Sequence, residues 1–202
     1  FQIVDNATQL INLIDQTYNN PNPPDILRIY LRPGEYDIDK SLRIESNIKI
    51  YGMGVSVTVI NAIQIAGPTE DLPLTQNPLF MIRNTGSLEL HDLRINGSGT
   101  GNAQNYGGVI HSRTTQSNGS FEPVVLEGVI VEDAATTTGA GALFTENATI
   151  TNSIMRNNNS AGGGGVIQTT ASANGTLTII CTRFEDNSAA YGGAILHDGG
   201  TS

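Results

Sequence analysis

The chain has 202 residues, 38% hydrophobic and 14% charged, enough apolar content for one packed domain and too much for a disordered chain. Its formal charge is −9 with only ten Lys and Arg, which leaves no clustered cations for a nucleic-acid backbone. No apolar run reaches the roughly 18 to 20 residues that span a bilayer, so an acidic outer surface and no membrane insertion of this segment are expected.

The chain begins at Phe1 without a basic-then-apolar leader, as expected of a processed or excised segment. From Asn6 to Gln16 the apolar residues Leu10, Leu13 and Ile14 recur at helical spacing, and Asn6 followed by Gln9 has the form of a capping box. Asn19 to Asp25 (NNPNPPD) then ends the helix, because proline lacks a donor and restricts the residue before it. Residues 1–25 are thus expected to form a helical cap and linker, covering backbone edges that would otherwise pair with another chain. Strand signals follow at Ile26 to Leu31, Leu42 to Ile44, Ile48 to Ile50 and Val55 to Ile60, with turns at Pro33-Gly34 and Gly52-Met53-Gly54. Three polar segments, 66–78, 97–105 and 113–123, read as loops inserted into a regular scaffold, where recognition usually sits.

Beyond these strands the sequence repeats. Residues 155–168 (MRNNNSAGGGGVIQ) and 184–197 (FEDNSAAYGGAILH) align without a gap. Counting back from Phe184, Met155, Val131 and Ile95 gives the apolar pairs Leu177/Ile179, Ala148/Ile150, Val124/Leu126 and Leu88/Leu90. Successive coils are therefore offset by 36, 24 and 29 residues. Recurring core strands with variable loops are solenoid behaviour, and residues 26–202 are expected to form parallel β-helix coils. After Ile195 and Leu196 there is no capping pattern, so the coils are expected to continue beyond 202 or to be covered by a partner.

The turn of each coil needs residues tolerant of left-handed backbone, a role assigned to Asn158, Asn187, Gly164 and Gly193, with the asparagines hydrogen-bonding as a ladder. The same register stacks Glu132, Arg156 and Glu185 as a surface ion ladder worth little. It also stacks Asp133, Asn157 and Asp186, a meagre oxygen set for calcium and the one metal candidate. His91 and Asp92 fall at a corner between strands without a third orienting group, and His111 and His197 read as rim residues without zinc spacing. The lone Cys181, inside LTIICTRF, reads as a buried inert thiol. Phosphate loops, nucleophile elbows and Cys-pair metal motifs are absent, so no cofactor and no catalytic residue is assigned. Asn6, Asn96, Asn118, Asn147, Asn158 and Asn174 each begin an Asn-x-Ser/Thr sequon; all but the ladder residue Asn158 are candidate glycan acceptors in a secretory pathway that glycosylates.

PGEY at 33–36, NIKIYGMG at 47–54 and TVINA at 58–62 resemble the opening coils of right-handed, single-stranded parallel β-helix proteins. FEDN followed by GGAI within 184–195 is similar to the paired short motifs of polymorphic outer-membrane proteins and autotransporter-passenger-like surface proteins. That resemblance implies an extracellular or cell-surface solenoid with a structural or adhesive role, whose partners are cell-surface glycans or proteins, or further copies stacking on the open C-terminal coil. The opening coils also resemble pectin esterases, which implies a polysaccharide-active lyase, hydrolase or esterase as the alternative. A subunit of an end-to-end surface filament is the third reading.

Overall fold

The computed structural model describes residues 1–18, 20, 24–66, 78–83, 85–98, 107–112, 124–169 and 176–197. Its strands are short because each coil needs one per face, and each pairs with the strand one coil away. The first sheet has seven parallel strands: Gln2–Val4, Leu27–Leu31, Asn47–Tyr51, Ser87–His91, Val124–Glu127, Ala148–Thr151 and Leu177–Ile180. The second runs from Gly34–Lys40 through Thr58–Ala66, Arg94–Asn96, Ile130–Glu132 and Ile154–Arg156 to Arg183–Glu185. The third runs from Leu42–Ile44 through Phe80–Ile82, Ile110–Ser112, Leu143–Phe144 and Ile167–Thr169 to Ile195–His197. A fourth, of three two-residue strands, joins Ala135–Thr136, Asn159–Ser160 and Ser188–Ala189. The chain is a parallel β-helix, and seven rungs at an inter-strand spacing of about 4.8 Å make a stack about 29 Å long.

Side chains alternate across each strand, so every second residue enters the core. On the first sheet Leu27 pairs with Ile48, Ile48 with Leu88, Leu88 with Val124 and Val124 with Ala148. Ile29, Ile50, Leu90, Leu126 and Ile150 form the parallel column, all fully buried. On the second sheet Tyr36, Ile60, Ile95, Val131, Met155 and Phe184 align, the column counted from sequence extended two coils toward the N-terminus. The buried Tyr36 hydroxyl shares its proton between the carbonyls of Val4 and Arg32, each 2.9 Å away.

The cap differs from the sequence reading at both ends. Gln2–Val4 is a strand that heads the first sheet, and the helix spans Ala7–Tyr18, ending two residues beyond the Gln16 that its apolar periodicity predicts. Leu10 and Ile14 are fully buried and Leu13 half-buried, which closes the N-terminal end of the core. The predicted turn at Pro33-Gly34 is brief, since Gly34 already pairs with Thr58 as the first residue of a strand. The strand predicted from Val55 starts at Thr58, after a turn in which the Val57 and Thr58 amides donate to the Gly54 carbonyl.

The repeated block is not gapless. Met155 pairs with Phe184 and Ser160 with Ala189, an offset of 29, whereas Ile167 pairs with Ile195, an offset of 28. One residue is lost in the glycine turn between them, so Gly192 follows Gly164 in register and Gly193 follows Gly165. Gly164 and Gly165 are required by close approach: a Cβ on either would overlap a carbonyl oxygen, that of Ile167 or of Gly193. Gly164 and Gly193, paired from sequence, are one residue out of register and do not stack on each other.

Candidate functional site

The outward residues of the first sheet bring together the densest chemistry among the described residues. Its register places Ile3, Tyr30, Tyr51, His91, Glu127, Thr151 and Ile180 in one outward column. Arg28, Lys49, Glu89, Val125, Thr149 and Thr178 form the next. The Tyr30 and Tyr51 rings stack with centroids 4.9 Å apart, and Tyr51 stacks on the His91 ring at 4.6 Å, both pairs 15° from parallel. Phe1 meets Tyr30 edge-on at 5.9 Å. The parallel β ladder sets this spacing, because rungs of about 4.8 Å hold consecutive planar side chains face to face.

Charge is threaded beside the stack. Lys49 Nζ lies 2.7 Å from Glu89 Oε1, and the two ring nitrogens of His91 lie 3.3 Å from Glu89 Oε2 and from Glu127 Oε2. Burial works to raise the pKa of Glu89, but hydrogen bonds and charge from Lys49 and His91 outweigh it and hold the carboxyl below its ordinary value. At the N-terminal end the stack opens onto a groove of about 560 Å³ lined by Phe1, Ile3, Tyr30, Leu31, Arg32, Pro33 and Met53. No family model and no curated protein matches the sequence.

Sequence reasoning singled out one member of this face, His91, and its neighbour Asp92. The orienting groups for His91 are Glu89 and Glu127, while Asp92 sits in the left-handed region with φ 51° and turns the corner. Gly128, Asn152 and Cys181 follow Asp92 in register with φ of 63°, 51° and 50°. Cys181 is therefore an exposed corner residue and not a buried strand thiol. The other residues of the face were legible in principle: continuing the Leu88/Leu90 count back to Ile48/Ile50 and Leu27/Ile29 puts Lys49, Tyr51, Arg28 and Tyr30 outward.

The Asp133, Asn157 and Asp186 column occupies the second left-handed corner, with φ of 58°, 55° and 50°. All three are exposed, and among the described residues no group of three or more His, Cys, Asp or Glu gathers to hold a metal. Left-handed backbone thus falls one residue before Asn158 and Asn187, whose task is different. Asn158 Oδ1 accepts from the Ala134 amide at 3.1 Å, and Asn187 Oδ1 from the Asn158 amide at 2.9 Å. Asn158 Nδ2 donates to the Val131 carbonyl and to Asn187 Oδ1, both at 3.1 Å, and Asn187 Nδ2 donates to the Met155 carbonyl at 2.9 Å. Each side chain substitutes for backbone at the turn of the preceding coil.

The ion ladder is less exposed than its sequence suggests. Glu132 is 7% exposed, 2.5 Å from Arg156 and 3.5 Å from Arg94, while Arg183 pairs with Glu185. His111 is not a rim residue: it is 5% exposed and packs on Phe144 at 5.3 Å. His197 is exposed, with its Nδ1 2.7 Å from the Thr169 hydroxyl. Among the sequons, Asn6 is exposed, Asn96 and Asn147 are half-buried and Asn158 is fully buried; Asn118 and Asn174 lie outside the described residues.

Proposed function

We propose that this chain is an extracellular or cell-surface β-helix module with an adhesive or structural role. The observation that carries the reading is the first sheet's outer face, where Tyr30, Tyr51 and His91 stack beside Arg28, Lys49, Glu89 and Glu127 on a rigid ladder. Stacking and ion pairing already restrict these side chains, so a docking partner has little rotamer freedom left to remove. Aromatic edges, phenol hydroxyls and both signs of charge at strand spacing suit the hydroxyl-rich, repetitive surface of a cell-surface glycan, or a protein of similar polarity. The resemblance to polymorphic outer-membrane proteins and surface passengers supports the same role.

A second reading rests on His91, which faces a carboxylate with each ring nitrogen and so offers the groups that general acid–base cleavage of a polysaccharide uses. A panel of acidic and neutral polysaccharides, with and without calcium, separates the two when binding and product formation are both followed. The adhesive role predicts binding without product, lost in Tyr51→Ala. Product formation abolished in His91→Gln would establish the enzyme, and neither binding nor product would contradict the adhesive role.

A further inference from the structure

We propose that this fold accepts an N-linked oligosaccharide at Asn6 and Asn96 and refuses one at Asn158, although all three carry the same sequon. The discriminating feature is which amide atom each asparagine spends on the fold. Asn6 Oδ1 caps the helix by accepting from the Gln9 amide at 3.0 Å, and Asn96 Oδ1 accepts from the Ser98 amide at 3.0 Å. Among the described residues neither Nδ2 has a hydrogen-bond partner. Asn158 instead spends both Nδ2 protons, on Val131 and Asn187, at a position with no exposed surface.

The chemistry acts on Nδ2 alone. An oligosaccharide pyrophosphoryl lipid is the donor; the Nδ2–C1 bond forms and the C1–O bond breaks. The pyrophosphate leaves with the electron pair, and one Nδ2 proton passes to the transferase's base. The product keeps its Oδ1 and one N–H, so at Asn6 and Asn96 the bond made by the fold survives intact. At Asn158 one ladder bond is lost, and a bulky polar group would have to fit where Ala134, Asn187 and the core pack, which the folded coil cannot accommodate. Asn147 is half-buried like Asn96, and its Oδ1 accepts from the Thr176 amide at 2.7 Å.

The acceptors also respect the proposed binding face. Asn96 stands on the second sheet's outer surface between Asn61 and Glu132, and Asn6 at the start of the capping helix, so neither sugar projects from the Tyr30, Tyr51 and His91 column. The inference rests on the secreted reading for its natural occasion. Its test is independent of ligand binding, which is read on unmodified protein.

The experiment is secretion of the 202-residue chain from a eukaryotic host that supplies the transferase, followed by glycopeptide mass spectrometry of the secreted and retained fractions. The expected result is Asn6 and Asn96 occupied in secreted protein that melts as the unmodified chain does, with Asn158 bare there and any Asn158 glycopeptide confined to retained, unfolded material. Occupied Asn158 in natively melting protein would overturn the proposal, and so would secreted protein bare at both Asn6 and Asn96. If none is secreted, the Ser160→Ala variant, which removes this sequon but leaves every Asn158 amide bond in place, must raise secretion; failure to do so counts against the refusal at Asn158.

Discussion

Two ladders run along this solenoid, one inside a turn and one outside a sheet, and they link coils at similar spacing to different ends. The inner one, Asn158 to Asn187, ties backbone groups that water cannot reach; the outer one, Tyr30 to Tyr51 to His91, joins rings on a surface where Tyr30 is still 39% exposed. Removing a member of the first leaves buried donors and acceptors unmet, while removing a member of the second leaves its neighbours facing water. The inner ladder therefore maintains the fold, and the outer one is free to serve a partner.

The largest expected effect breaks the frame that both ladders share. Ile150→Asp puts an unpaired charge in a fully buried column and should abolish cooperative folding, seen as loss of a thermal transition by circular dichroism. Asn158→Leu keeps volume but orphans the Ala134 amide and the Val131 carbonyl, at a cost of about 2–4 kcal/mol by urea unfolding. Glu132→Ala leaves Arg94 and Arg156 side by side, for about 1–2 kcal/mol, less than for fully buried pairs because both arginines reach water. Tyr51→Ala removes two ring stacks at a half-buried site for about 1–2 kcal/mol and should eliminate glycan binding.

The smallest effect concerns pH. Because the folded state holds the Glu89 carboxyl below its ordinary value of 4.5, the stabilisation it brings is present at neutral pH and is lost as pH falls through the folded value. Glu89→Gln should therefore lower the melting temperature slightly at pH 7 and converge with the unchanged protein at the acid end of a titration. A difference that persisted at low pH would place the effect in packing and not in charge.

The strand columns were legible in the sequence because a solenoid repeats its inward residues: Ile95, Val131, Met155 and Phe184 align in space as counted. What eluded the count was backbone conformation. Glycine and asparagine together suggested that Asn158 adopts left-handed backbone, yet that conformation belongs to Asp133, Asn157 and Asp186. The one-residue loss in the glycine turn was hidden because four consecutive glycines let Gly-Gly-Val-Ile at 164–167 be aligned one residue out of step with Gly-Gly-Ala-Ile at 192–195. Cys181 was misplaced for the same reason, since a strand pattern carries no mark of the corner where it ends. The candidate face was missed because outward residues of a strand need not repeat. Tyr30, Tyr51 and His91 become a site only once the coils are stacked.

Urea unfolding of Asn158→Leu and Tyr51→Ala, measured side by side with the unchanged chain, tests most directly whether the inner ladder holds the fold and the outer one does not. The account predicts a midpoint clearly lower for Asn158→Leu than for Tyr51→Ala, with the Tyr51 variant retaining a single cooperative transition near that of the parent. Equal losses, or a greater loss at Tyr51, would contradict it and make the aromatic stack a structural spine.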